Sequence, residues 1–193
     1  MRDADGMAEA LGVAGSITGI VAFGLKSATI IQTYIDAVND ADQNLQQLVA
    51  EVKSTALTLE QLNALIEQDS VVGVSTRDAG DNSGDKGGTK VIRVANDEGV
   101  QHAVNLASQC KQAYTAILNL IAKDIGAPQD ENGEVCVDNL DPDNIKVPTH
   151  RKLKFPFREG RIKKLRKVFK ALKLDLLVHL GVLNLATLWI GSV

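Results

Sequence analysis

Aromatic side chains are scarce. Phe, Trp and Tyr make up only 4% of the 193 residues, so any core has to be assembled from Leu, Ile, Val and Ala. Such a core suits helix packed on helix better than a β-sandwich. Cysteine is nearly absent as well. Cys110 and Cys136 have no Cys or His partner at metal-ligand spacing, which excludes a zinc module. Two free thiols in a reducing compartment are expected, with one disulfide as the alternative. Histidine is limited to His102, His150 and His179, scattered and without a carboxylate pattern around them. GxSxG and HExxH are both missing, so hydrolase chemistry has no support. No enzyme activity, catalytic residue, metal or cofactor is expected.

A phosphate-binding loop is missing too. Gly19 to Ser27 reads GIVAFGLKS, but Leu25 separates Gly24 from Lys26, so the lysine is out of register. The stretch reads as continuous apolar helix rather than a strand-to-helix turn. A secretory leader is not evident either. Arg2, Asp3, Asp5 and Glu9 precede the first apolar run, an acidic balance where a signal peptide is basic. The expected location is the cytoplasm.

What is present is ordinary globular composition, 45% hydrophobic and 23% charged, for which one domain is the default. Four long helices are expected. The first covers about 7–38 and contains an uncharged run from Ala10 to Leu25. The second covers about 41–69, with Asp40 as N-cap and an apolar stripe of Leu45, Leu48, Val49, Val52, Ala56, Leu59, Leu62 and Ile66. The third covers about 97–125, capped by Asn96 and stopped by Gly126 and Pro128, with Val100, Val104, Ala107, Tyr114, Ile117 and Ile121 in line. The fourth runs from near Pro156 to about Trp189 with Ile162, Leu165, Phe169, Leu172 and Leu176 on one face. Residues 70–95, rich in Gly, Asp and Ser, read as a loop, with a small hairpin as the alternative. Residues 127–155 form a second polar loop, and residues 1–6 a disordered N-terminus, upstream start or cloning remnant. The expected fold is therefore all-α: a four-helix-type bundle over 7–193 with a hydrophobic, Gly-rich N-terminal helix and two long loops.

Three segments carry the functional reading. In the first helix, Gly12, Gly15 and Gly19 share one face, and Gly15 with Gly19 makes a GxxxG. In lipid that spacing lets helices approach closely; tight packing inside a soluble bundle is the simpler expectation. Residues 151–173 hold eleven Lys/Arg. They form a solvated face, a surface for anionic lipid, or a phosphate-contacting surface for nucleic acid, the last being least favoured because stacking aromatics are few. Leu176 to Val193 lacks any Asp, Glu, Lys or Arg. A helix apolar all round is either buried centrally or in a membrane, and a tail anchor is one form of the second. His179 within it reads as a core or interface histidine.

The opening MAEALGVAGSITGIVAFGLKSATIIQTYIDAV (7–38) and the later RKLKFPFREGRIKKLRKVFKALKLDLLVHLGVLNLATL (151–188) resemble the two ends of the N-terminal domains that precede NACHT or NB-ARC modules in fungal STAND-type, NLR-like receptors. These are related to the HeLo-like domains of fungal programmed cell death. The ends are moderately specific and the middle is not. No NACHT or NB-ARC motif follows before Val193, so an excised domain and a stand-alone protein both fit. The resemblance implies a non-enzymatic signalling domain whose N-terminal helix stays packed until activation, then is exposed for self-association and membrane targeting. On this chain the resemblance places that helix at Leu11, Gly12, Gly15, Ile17, Gly19, Ile20 and Phe23. It places the lipid-facing basic surface at Arg151, Lys152, Lys154, Arg158, Arg161, Lys163, Lys164, Arg166, Lys167 and Lys170. The expected partners are a second copy, another protein or anionic lipid. A helical adaptor that binds a partner protein and never touches lipid is the alternative.

Overall fold

A computed structural model describes the backbone of residues 3–38, 43–72, 97–127, 140, 145 and 159–190, and the side chains of 15–38, 43–68, 98–127, 140, 145 and 160–189. Among the described residues the fold is all-α, with four helices and no strand: α1 (Asp3–Ala37), α2 (Gln43–Val72), α3 (Asp97–Ile125) and α4 (Glu159–Ile190). α1 begins ahead of the expected Met7, and α2 runs three residues past the expected Asp69. The Asp40 and Asn96 caps and nearly all of both expected loops lie outside the described residues.

The apolar stripes read from the sequence become the core. Leu45, Leu48, Val52, Ala56, Leu59, Leu62 and Ile66 of α2 are buried, as are Ala107, Tyr114, Ile117 and Ile121 of α3 and Ile162, Phe169, Leu172 and Leu176 of α4. α1 contributes Ile17, Val21, Ile30, Ile31, Tyr34 and Ile35. Gly126 ends α3 as expected. Its φ of 73° is left-handed, and the Ala127 N–H donates to the Ala122 carbonyl at 2.9 Å. That six-to-one bond closes the last turn around a residue without a β-carbon.

α1 packs on α2 and α3, and α4 packs on the same two helices, so the order around the bundle is α1, α2, α4, α3. Cross-helix pairs fix the directions. Arg166 meets Asn44 and Lys173 meets Glu51, so α2 and α4 run parallel. Phe23 meets Tyr114, and Tyr34 donates to Asp124, so α1 and α3 also run parallel. His179 meets Gly99 and Phe169 meets Tyr114, which sets α4 antiparallel to α3. The start of α2 and the basic half of α4 therefore share one end of the bundle. The N-terminal half of α1 and the uncharged half of α4 share the other.

Candidate interaction surface on the fourth helix

α4 is built in two halves with one buried seam. In the first half Ile162, Phe169 and Leu172 turn inward. Arg161, Lys163, Lys164, Lys167 and Lys170 are exposed, and Arg166 and Lys173 are half-buried. The cations divide between two flanks. Lys163, Arg166, Lys167 and Lys170 line a depression beside Asn44 of α2, whereas Arg161 and Lys164 line a second one beside Lys123 and Asn119 of α3. Two bonds tie the first flank to α2. Arg166 Nη1 donates to Asn44 Oδ1 at 2.7 Å, and Lys173 Nζ pairs with Glu51 Oε2 at 2.7 Å.

The second half keeps only Leu176 and Leu183 buried. Outward-facing Leu174, Leu177, Val178, Val182, Leu185, Leu188 and Trp189 are between 47% and 81% exposed. An isolated exposed leucine needs no explanation, but seven large apolar side chains on one uncharged helical face do. Central burial is not what the described residues give this segment: α4 packs on α2 and α3 along one seam, and these outward side chains remain exposed. Ala171, Leu174, Val178, Gly181, Leu185 and Leu188 repeat at alternating steps of three and four, the spacing of a helix-pairing seam. Among the described residues, Gly160–Trp189 is the one stretch long and apolar enough to cross a membrane, by length and composition only.

His179 joins this half to α3. Its Nε2–H donates to the Gly99 carbonyl at 3.1 Å, and its ring meets that of His102 edge-on at 4.9 Å. Burial, then the neighbouring His102, lowers its pKa, against the raising effect of the carbonyl acceptor. It is an interface histidine, as its sequence setting suggested.

The N-terminal helix residues divide as well. Ile17 is buried in the core, and Ile20 and Phe23 are half-buried, the Phe23 ring edge-on to Tyr114 at 6.3 Å. Gly15 and Gly19 face solvent with nothing within 4 Å of a notional β-carbon. Tight intramolecular packing therefore does not account for these two glycines; Gly24, out of register with them, is the closely packed one. The side chain of Leu11 and the environment of Gly12 lie outside the described residues, as do Arg151, Lys152, Lys154 and Arg158. Gly19 to Ser27 is continuous helix within α1, so no phosphate loop forms there. Asn44 was not singled out in the sequence, because nothing local marks an Asn in a helix's first turn as facing a distant basic helix.

No protein-family model matches the chain, and comparisons with curated proteins and with solved structures likewise find no match.

Proposed function

We propose that this chain is a non-enzymatic helical signalling module that attaches to an anionic membrane through α4. The observation that carries the reading is the arrangement on that helix: a cationic half, then an outward-facing apolar half whose one charge is Asp175 at its start. Cations near an anionic lipid surface contribute roughly 1 kcal/mol each. Apolar side chains seated at the headgroup boundary add burial that the free protein lacks. The uncharged Ala10–Leu25 run of α1, with Gly15 and Gly19 facing outward, lies toward the same end of the bundle. It supplies a second surface for self-association once the module is concentrated on lipid. The resemblance of 7–38 and 151–188 to the N-terminal domains of fungal STAND receptors adds the context of regulated cell death, with the cytoplasm as the resting location.

The test is vesicle flotation with dye leakage, comparing anionic with neutral vesicles. Wild type is expected to float with anionic vesicles only. Leu185→Asp/Leu188→Asp, at two exposed positions, is expected to stay folded and unbound. A folded wild type that ignores anionic vesicles, or a double variant that binds as well as wild type, overturns the reading.

The heptad spacing of Ala171, Leu174, Val178, Gly181, Leu185 and Leu188 favours a second reading, an adaptor whose seam takes a partner helix. Sedimentation of a partner-bound or self-associated species without vesicle binding would select it.

A further inference from the structure

The outward stripe of α4 has the same spacing in both directions. Ala171, Leu174, Val178, Gly181, Leu185 and Leu188 are separated by steps of three, four, three, four and three. Reversing the helix reproduces that order of steps, so two antiparallel copies of the stripe register on each other. Position 171 then faces 188 of the second copy, 174 faces 185, and 178 faces 181, each side chain seated among those of the facing helix. Within these layers small meets large: Ala171 against Leu188 and Gly181 against Val178, with Leu174 against Leu185 between them. Alternating large and small side chains across facing positions lets the layers interdigitate. The large members are open to it, with Leu174 61%, Val178 60%, Leu185 69% and Leu188 70% exposed. Gly181 has nothing within 4 Å of a notional β-carbon. Packing within the chain therefore does not explain a glycine that weakens the helix, whereas a valine arriving from a second helix does.

Charge selects the direction. Lys167 holds the next position of the same stripe, before Ala171, and Lys170 flanks it; both are exposed. Parallel pairing sets these lysines beside their own counterparts, inside the roughly 8 Å over which charges act in physiological salt. It also places Ala171 on Ala171 and Gly181 on Gly181, which leaves gaps. Antiparallel pairing carries the two cationic stretches to opposite ends of a contact roughly 26 Å long. It brings Lys167 and Lys170 against the last turn of the other α4, which has no basic side chain of its own. The final carbonyls there form the negative end of the helix dipole. Neither a lipid surface nor an unrelated helix requires a stripe that matches its own reverse; a second copy does. We propose that α4 pairs antiparallel with α4 of a second copy, about a two-fold axis level with Val178 and Gly181. The proposal rests on the helix-partner reading of the seam given above, and commits that partner to another molecule of this chain in one orientation.

The experiment uses the full chain without lipid. Sedimentation equilibrium over a concentration series is expected to give a monomer–dimer equilibrium for wild type. Leu174→Asp/Leu185→Asp, at two exposed positions and with folding checked by circular dichroism, is expected to be monomeric. Direction is read by disulfide trapping in a Cys136→Ser background, Cys110 being buried. Ala171→Cys mixed with Leu188→Cys is expected to give a crosslinked dimer containing one of each, while neither variant crosslinks to itself. Lys167→Gln/Lys170→Gln is expected to weaken dimerisation about three- to tenfold, because it takes cations away from the other copy's helix end; parallel pairing predicts tighter association instead. Self-crosslinking of each single variant, or tighter association of the lysine variant, overturns the proposal while leaving a helix partner on the seam. A dimer that survives Leu174→Asp/Leu185→Asp overturns it by placing the contact elsewhere. A wild type that stays monomeric at the highest concentration also overturns it, and the flotation assay described above then decides separately whether lipid covers the seam.

Discussion

The ring of Tyr114 occupies the space that a β-carbon on Gly24 would need: Cε2 lies 2.7 Å from that position and Cζ 2.8 Å. Tyr114 has no room to retreat. It is fully buried, stacked on Phe169 at 5.5 Å and met edge-on by Phe23. Gly24→Ala is therefore expected to cost about 1–3 kcal/mol by overpacking, despite the better helix propensity of alanine. Gly15→Ala and Gly19→Ala, with nothing within 4 Å, are expected to stabilise by up to about 1 kcal/mol each. Urea unfolding of the three variants checks this, and Gly24→Ala ranking as the most stable would refute the packing assignment.

Two buried tyrosines make opposite predictions. Tyr34 donates to Asp124 Oδ2 at 3.2 Å, both residues being buried, whereas the Tyr114 hydroxyl is buried without a partner. Tyr34→Phe leaves a carboxylate short of a donor and is expected to lose about 1–3 kcal/mol. Tyr114→Phe removes a hydroxyl that gains nothing in the fold and is expected to be neutral or stabilising. Thermal denaturation of the two variants decides, and the reverse order would sink the argument.

Acid should loosen the contact between α3 and α4. His179 has its pKa lowered from 6.5 by burial and by His102. The unfolded chain therefore takes up this proton more readily than the folded one, and stability falls as pH drops below about 6.5. His179→Gln is expected to flatten that part of the stability profile in a pH series of urea midpoints. An unchanged slope would show that other groups set it.

Cys110 is a free, fully buried thiol, and burial pushes its pKa up to about 12. In a Cys136→Ser background it is expected to resist a thiol-specific chromogenic reagent at pH 8 while the protein is folded, then react fully in denaturant. Rapid reaction in the native state would mean that the α3 core opens easily.

Local chemistry made much of the fold legible. Asp97 and Glu98 at the start of α3 and Gly126 at its end are short-range signals, and α3 has the expected limits. The stripes of α2 and of the first half of α4 were readable because one apolar face alternates with a polar one. After Leu176 that contrast disappears, and only packing on α2 and α3 decides that Leu176 and Leu183 turn inward while Leu185 and Leu188 turn out. The role of Gly24 depends on a tyrosine ninety positions away, whereas Gly15 and Gly19 have a regular spacing but open surroundings. Ile17, named in the sequence as part of a membrane-seeking helix, is 1% exposed. A polar substitution there would test folding before anything else. Arg166 was visible as one cation among eleven, but its partnership with Asn44 follows from α2 and α4 running parallel, which no local pattern encodes.

The two halves of α4 also differ in what they sense. The centre of the cationic stretch, Arg161–Lys173, and that of the apolar stretch, Leu174–Trp189, are separated by roughly 20 Å along the axis. That exceeds the distance of about 8 Å over which physiological salt lets charges feel one another. Ionic strength therefore acts on one half and barely on the other. Arrival at a charged surface would slow as salt rises, whereas departure, governed by the leucines and Trp189, would hardly change. On the proposed membrane role, a single helix would give separate controls over how fast the protein lands and how long it stays.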